Sequence, residues 1–333
     1  MRMKSWIFLI ITTVLAACGN KPLEKISIAG EAQGTYYAIT YYDKLGRDLQ
    51  EPIDSLLKAV DKSVSLWDDN SIITRVNRGD TSVKLDKIFI YNFILSKEMG
   101  ILSNGYFDFT IGPLAGAWGF HRKNKLTLSS YQVDSLKQLV DFRKVRIENG
   151  QIIKDDPRMS FDFNAVAQGY TVDLIASMLD SLDIKHFVVD VGGEIIARNK
   201  KPGGSSWRVG IESPSANKDD DRTIQVVVSL ENKGLATSGS YRKYFEQGGK
   251  RYSHAIDPKT GYSVDHHLMS VTVLADNAAY ADALATTFMV MGMEKSLKLM
   301  ETLTDVDAYF IYWTKENIYE TYASEGMKKL IVN

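Results

Sequence analysis

The irregular alternation of helix-type and strand-type segments constrains the fold of this chain most strongly. The β-branched and aromatic run Thr35–Tyr42 predicts a strand, and apolar residues at helical spacing predict an amphipathic helix over about 47–65. The same patterns predict further helices at about 86–103, from Ser129 or Ser130 onward and at about 277–291, strands at about 158–163, 186–191, 207–212 and 224–230, and hairpins at Asn149-Gly150 and over 307–323. This irregular order favours an α+β fold over a doubly wound parallel sheet.

The first seventeen residues have the pattern of a secretory signal. Basic residues precede an apolar run from Trp6 to Ala17, which is shorter than the roughly 20 residues that a membrane-spanning helix needs. Cys18 follows Leu15-Ala16-Ala17, a sequence that resembles a bacterial lipobox, and it is the only cysteine in the chain. Because one cysteine provides no disulfide framework, lipidation is the economical explanation for Cys18.

These features predict a signal peptide at 1–17, a lipidated Cys18 with a tether at 18–26, and one folded domain at 27–333. The protein is therefore expected to be an exported bacterial lipoprotein, anchored to a membrane through its lipid, with the periplasmic side as its expected location. The alternative is an ordinary signal peptide followed by an incidental cysteine.

The charge balance limits the partner classes. Forty basic and forty-one acidic residues give a net charge of −1, and 44% of the residues are hydrophobic. These are ordinary values for a globular protein, without the basic excess of a nucleic-acid-binding domain. Nucleic acid is therefore not expected as a partner.

Two segments contain residue types that suit a ligand-binding site. Segment 105–120 (GYFDFTIGPLAGAWGF) combines glycines, which allow close backbone approach, with aromatics, which offer a flat surface. Segment 161–173 (FDFNAVAQGYTVD) predicts a helix that begins near Asn164 or Ala165, with N–H groups suited to phosphate. Each also has a structural explanation: an aromatic core loop for the first, a cap and an exposed helix residue for the second.

Two further segments carry titratable residues. Segment 237–261 contains His254, whose role could be structural or catalytic, and no serine or cysteine nucleophile motif is evident. Asp282 and Thr286 share one face of the Ala-rich helix, in apolar surroundings where a carboxylate needs a partner. Carboxylate, hydroxyl and carbonyl oxygens suit Mg²⁺, and the alternative is an aspartate bonded to a neighbouring strand.

Taken in order, these segments resemble the FAD:protein FMN transferase family, also called ApbE, from about Gln33 to about Gly292. The matching stretches are Gln33-Gly34-Thr35, Leu66-Trp67-Asp68 through Asn77, GYFDFTIGPL with WGF, FDFNAVAQGYTVD, GGE at 192–194, TSGSYRKYF, YSHAIDPKTG and ADALATT. The resemblance implies a single α+β domain of mixed, largely antiparallel sheets with packed helices. Members of the family are commonly lipoproteins, which agrees with Cys18.

The resemblance also implies a set of site residues. It places FAD, the substrate, against Gln33, Trp67, Tyr106, Phe107, Asp108, Asp162, Gln168 and Ile256. It assigns Mg²⁺ to Asp282, Thr286 and the carbonyl of Ala165, and catalytic roles to Asp282 and His254. The chain departs from the family pattern at Gln33, Gln168 and Ala285, and the last of these removes a second aspartate that some relatives place beside the threonine.

The implied reaction is the Mg²⁺-dependent transfer of the FMN moiety of FAD to a threonine or serine hydroxyl of an acceptor protein, with release of AMP. The expected acceptor is a flavin-carrying subunit of a membrane redox complex. Two alternatives remain open from the sequence: an FAD pyrophosphatase that yields free FMN and AMP, and a non-catalytic FAD-binding lipoprotein.

Overall fold

The computed structural model of the chain describes residues 22–120, 128–214, 223–240, 244–247, 250–253, 255–314, 316 and 318–332. The predicted signal peptide and Cys18 lie outside these ranges, so those expectations stay predictions. Within the described ranges, no helix is both long enough and apolar enough to cross a lipid bilayer.

Helices and strands alternate irregularly along the chain, as the sequence predicts. The helices α1 to α9 are Gln50–Val64, Ile72–Asn77, Lys87–Leu102, Gly112–Ala117, Ser130–Lys137, Ala167–Ser181, Ala278–Met291, Met293–Met300 and Glu325–Leu330. The strands β1 to β15 are Glu24–Ala32, Thr35–Asp43, Val145–Glu148, Gln151–Lys154, His186–Val191, Glu194–Arg198, Trp207–Glu212, Ile224–Leu230, Gly234–Gly239, Tyr244–Gln247, Lys250–Ser253, Leu268–Ala275, Asp307–Trp313, Tyr319–Ala323 and Ile331–Val332.

An eight-stranded sheet forms the centre of the fold. Its strand order is β1-β2-β5-β6-β9-β12-β13-β14, and every neighbouring pair in it is antiparallel. A three-stranded antiparallel sheet β15-β8-β7 and the hairpins β3-β4 and β10-β11 accompany it. The arrangement confirms the predicted α+β fold with largely antiparallel sheets.

The predicted strand at about 158–163 is wrong. Alternate residues there are buried, as in a strand, but the segment forms only one isolated bridge, between Ser160 and Ile111. The backbone of Phe161 bonds instead to a side chain, because Asn77 accepts its N–H at 2.7 Å and donates to its carbonyl at 2.9 Å. Helix α6 also begins at Ala167, slightly later than the predicted Asn164 or Ala165.

Helix α7 lies at the centre of the packing. It contacts β9 and β12 of the large sheet on one side and helix α6 on another, and most of its residues are buried. Because this helix has almost no solvent-exposed surface, each of its polar side chains must find a partner inside the protein. The partners of Asp282 therefore define the site.

Candidate active site

The first turns of α6 and α7 approach each other unusually closely. A Cβ atom at Gly169 of α6 would lie 2.8 Å from the carbonyl carbon of Ala278 and 2.8 Å from the Cα atom of Ala279, both backbone atoms of α7. Real Cβ atoms do not approach a backbone this closely, so glycine is required for the two helices to meet. The meeting point brings the start of α6 beside the residues of α7.

Each of these two helices uses a carboxylate of the other. Asp282 of α7 accepts a hydrogen bond from the N–H of Gly169 at 3.1 Å. In return, the two carboxylate oxygens of Asp173 on α6 accept the N–H groups of Ala278 and Ala279, each at 2.9 Å. The N–H groups of a first helical turn have no partner within their own helix, and their positive end attracts anions. The reciprocal bonds therefore fix α6 and α7 in one register.

The first turn of α7 is fully hydrogen bonded. Besides the two bonds to Asp173, the side chain of Asn277 accepts the N–H of Tyr280 at 2.8 Å, and its carbonyl accepts that of Ala281 at 3.2 Å. Burial raises the pKa of Asp173 from 3.8 to about 6, and it outweighs the two hydrogen bonds and the more distant charge of Arg198, which act in the opposite direction.

Asp282 and Thr286 share one face of α7, as the sequence predicts. Asp282 is only 6% exposed, and the Oγ1 atom of Thr286, one turn further on, lies 3.2 Å from the Oγ atom of Ser238 on β9. Ala165 precedes α6, four residues before Gly169. These residues could supply a carboxylate, a hydroxyl and a carbonyl oxygen to a hard cation. Among the residues that the structure describes, no three His, Cys, Asp or Glu side chains converge on one point.

Gln33 and Gln168 lie at a junction of three elements. Gln168 in the first turn of α6 donates to the carbonyl of Val191 at 2.8 Å, beneath the turn between β5 and β6. Gln33 lies in the turn between β1 and β2 with a φ of 54°, and its amide donates to Thr171 of α6 at 2.9 Å. The two predicted FAD contacts therefore lie near one face of α6, because residues 168 and 171 are three positions apart in the helix.

The predicted contacts in the glycine-rich segment differ in exposure. Phe107 and Asp108 are buried, at 5% and 8% exposure, whereas Tyr106 is half-buried. The carboxylate of Asp108 accepts the N–H and hydroxyl of Thr110 and the N–H of Phe142, and burial raises its pKa. Its bonds to Thr110 and Phe142 hold the segment in place, which leaves Tyr106 as the side chain of this trio that reaches solvent.

The remaining predicted site residues lie in segments other than α6 and α7, or outside the residues that the structure describes. Trp67, between α1 and α2, is 68% exposed, and Ile256 is buried against a cluster that contains Leu114 and Trp118. Asp162 accepts the N–H of Asn164 at 2.8 Å in a local turn just before α6. His254 lies outside the described residues.

Sequence reasoning missed the roles of Gly169 and Asp173. A glycine in the first turn of a helix and an aspartate four residues after it were visible signals, since α7 repeats the same spacing with Ala278 and Asp282. However, the partner of each lies more than a hundred residues away in the chain. Local spacing alone could not identify it.

Comparison with known proteins first defines the class. Residues 33–310 match the ApbE family, and this segment is most of the chain. The chain therefore belongs to the ApbE family. The family assignment confirms the resemblance drawn from the ordered motifs.

Individual relatives agree with this assignment. The FAD:protein FMN transferase of Haemophilus influenzae is 33% identical over 95% of this chain and 94% of its own length. That of Vibrio cholerae is also 33% identical, over 99% of both chains. The solved flavin transferase ApbE from Vibrio cholerae matches with a TM-score of 0.82 at 31% identity, over 93% of this chain and 100% of that one. The apo flavinyl transferase ApbE from Pseudomonas stutzeri matches with a TM-score of 0.82 at 29% identity, over 93% and 97%.

Proposed function

We propose that this protein transfers the FMN half of FAD to a threonine or serine hydroxyl of an acceptor protein. Relatives named FAD:protein FMN transferase, aligned over nearly their whole lengths, support flavin transfer from FAD to a protein. The observation in this chain that carries the proposal is the bond between Asp282 of α7 and the first turn of α6. Asp282 and Thr286 lie one turn apart on α7 beside the start of α6, and their hard oxygen atoms suit a cation-bound phosphate.

The proposed reaction exchanges one phosphorus–oxygen bond for another. The acceptor hydroxyl oxygen bonds to the FMN phosphorus, and the phosphoanhydride bond to AMP breaks. AMP leaves with the bonding electron pair, and the hydroxyl proton passes to a base, for which His254 is the candidate from the sequence. Because a neutral hydroxyl is a weak nucleophile, positioning and charge stabilisation must supply most of the acceleration.

In this proposal Asp282, Thr286 and the carbonyl of Ala165 hold Mg²⁺. The donor set fits, because all three groups are hard oxygen ligands and a single carboxylate leaves room for the waters and substrate phosphates that Mg²⁺ prefers. When bound, Mg²⁺ neutralises the negative charge of the phosphates. The bond from Gly169 to Asp282 orients the carboxylate before any ligand arrives, and the buried Ala285 adds no second carboxylate to the helix.

We further propose that FAD lies against the residues implied by the family pattern. Trp67 offers accessible aromatic surface to a flat ring, the half-buried Tyr106 contacts the dinucleotide at its edge, and the buried Phe107, Asp108 and Ile256 shape the wall behind it. Gln33, Gln168 and Asp162 supply polar contacts near the start of α6. The side chains of Gln33 and Gln168 are already oriented by Thr171 and Val191.

Intact-mass spectrometry tests the reaction directly. A flavin-carrying membrane subunit from the same organism is incubated with the enzyme, FAD and Mg²⁺. We expect its mass to increase by one FMN group, with AMP released in equal amount. Release of free FMN and AMP with an unmodified acceptor would instead identify a pyrophosphatase, and FAD binding without any AMP would identify a storage protein.

We also propose that Cys18 carries a lipid that anchors the enzyme on the periplasmic side of a membrane, where its acceptor resides. Tethering both proteins to one surface raises their effective concentration. Replacing Cys18 by serine should move the protein from the membrane fraction to the soluble fraction or leave residues 1–17 uncleaved. Cell fractionation and mass spectrometry measure this. A Cys18→Ser protein that is processed and membrane-bound like wild type contradicts the anchor.

A further inference from the structure

Two lysines from distant parts of the chain meet at the ring of Tyr106. The Nζ atom of Lys259 lies 3.7 Å from the ring centroid, and that of Lys295 lies 4.5 Å from it. Lys259 belongs to the turn that follows Asp257, and Lys295 lies in the first turn of α8, three residues after Gly292. Three separate segments therefore place two positive charges beside one aromatic ring.

Neither charge is neutralised within the part of the chain that the structure describes. No carboxylate there lies within ion-pair distance of the ammonium group of Lys259 or Lys295. The neighbouring acids have other partners: Glu294 pairs with Lys298 at 2.8 Å, and Asp257 accepts the backbone N–H of Lys259. An aromatic ring attracts a cation, but two ammonium groups beside the same ring repel each other unless an anion lies between them.

We propose that Lys259 and Lys295 bind the phosphates of the dinucleotide substrate. The inference rests on the proposed function, which puts FAD against Tyr106. Because both ammonium groups lie within 4.5 Å of one ring centroid, a single pyrophosphate can contact both of them. Lysine is a point-charge donor suited to phosphate oxygens, and Tyr106 holds both side chains at the site before the substrate enters.

The packing of Tyr106 supports this position for the phosphates. Tyr106 packs against the main hydrophobic core, and so do Ala165, Ala167 and Met293, which lie at the starts of α6 and α8. Tyr106 and the residues at the start of α6 therefore border the same core, and the half-buried Tyr106 is reached from solvent. Two positive charges at this point attract the dinucleotide from solution and hold its phosphate chain near the proposed reaction centre.

The test compares a flavin that carries phosphate groups with one that carries none. Binding of FAD and of riboflavin, which has no phosphate, is measured by quenching of flavin fluorescence in the purified wild-type protein and in the double variant Lys259→Met, Lys295→Met. We expect the Kd for FAD to increase about tenfold or more, as for the loss of charge-assisted contacts, and the Kd for riboflavin to change less than about twofold. Raising the salt concentration should weaken FAD binding to the wild type more than to the variant.

Matched variants distinguish this role from a structural one. Lys259→Arg with Lys295→Arg should keep FAD affinity, and Lys298→Met, which removes a lysine already paired with Glu294, should leave it unchanged. Equal weakening of FAD and riboflavin, or an unchanged Kd for FAD, overturns the phosphate role. An unchanged Kd for FAD with a raised KM for the acceptor would assign the lysines to the acceptor instead. A wild-type protein that binds no FAD would refute the proposed function itself.

Discussion

Replacing Asp282 by asparagine is expected to lower the rate of FMN transfer about 100-fold or more while the fold is retained. Asparagine keeps an oxygen that can accept the N–H of Gly169, so the contact between α6 and α7 survives. It removes the one carboxylate that α7 contributes to the proposed Mg²⁺ site. Removing a single group that stabilises charge in a transition state lowers the reaction rate by a factor of this size. Transfer assays with a flavin-carrying acceptor measure the effect.

Thermal unfolding separates a metal ligand from a structural aspartate. A ligand that binds the native state raises Tm, so Mg²⁺ should stabilise the wild type but not Asp282→Asn. Asp276→Asn is the matched control, because Asp276 lies just before the same helix, is 75% exposed and pairs with Lys233. An Asp282→Asn protein with full activity and an unchanged Mg²⁺ shift would remove Asp282 from the site.

Replacing Asp173 by alanine is expected to lower the free energy of unfolding by about 2 kcal/mol at pH 7.5. The substitution leaves the N–H groups of Ala278 and Ala279 without their acceptor at the start of α7, and it removes an anion from the positive end of that helix. Urea unfolding measures the difference. Asp276→Ala, an exposed acid next to the same helix, should change the free energy by less than about 0.5 kcal/mol.

The effect of Asp173 should also depend on pH. Its pKa is about 6 in the folded protein, against 3.8 ordinarily, so the folded state keeps the proton to a higher pH than the unfolded state. The stability from this protonation is complete below about pH 4 and is lost as the pH rises through about 6. The titratable or charged side chains that interact with the carboxylate of Asp173 are those of Tyr91, Tyr170 and Arg198.

Comparison with the variant isolates this contribution, because Asp173→Ala keeps the other titratable groups. The difference in unfolding free energy between wild type and variant should be larger at pH 4.5 than at pH 7.5 by about 1–2 kcal/mol. A difference that is constant with pH, or that grows toward pH 7.5, would show that the pKa of Asp173 is not raised.

Several elements follow from local patterns because their determinants are close together in the chain. The apolar period over about 47–65 corresponds to α1, and the Ala-rich helix ends at Gly292, whose φ of 75° only glycine adopts easily. Asn149 and Gly150 both have positive φ in the hairpin between β3 and β4, as that dipeptide predicts. Turn chemistry and burial period are properties of neighbouring residues.

The segment around Phe161 shows where such patterns fail. Its alternating burial is that of a strand, but its backbone bonds to the side chain of Asn77, eighty-four residues earlier. Periodicity reports which side chains are buried, and it does not report which groups accept the backbone hydrogen bonds. A strand requires a continuous ladder of backbone bonds, and here one isolated bridge and the bonds to Asn77 take its place.

The candidate site divides in the same way. The sequence was sufficient to put Asp282 and Thr286 on one helical face and to select the segments around Tyr106 and Gln168, because spacing and residue type carry that information. The reciprocal hydrogen bonds of Asp282 and Asp173 between α6 and α7 depend on Gly169 contacting Ala278. The lysine pair depends on two distant segments meeting at Tyr106. Contacts of this kind arise from packing over long chain separations, so only the tertiary structure specifies them.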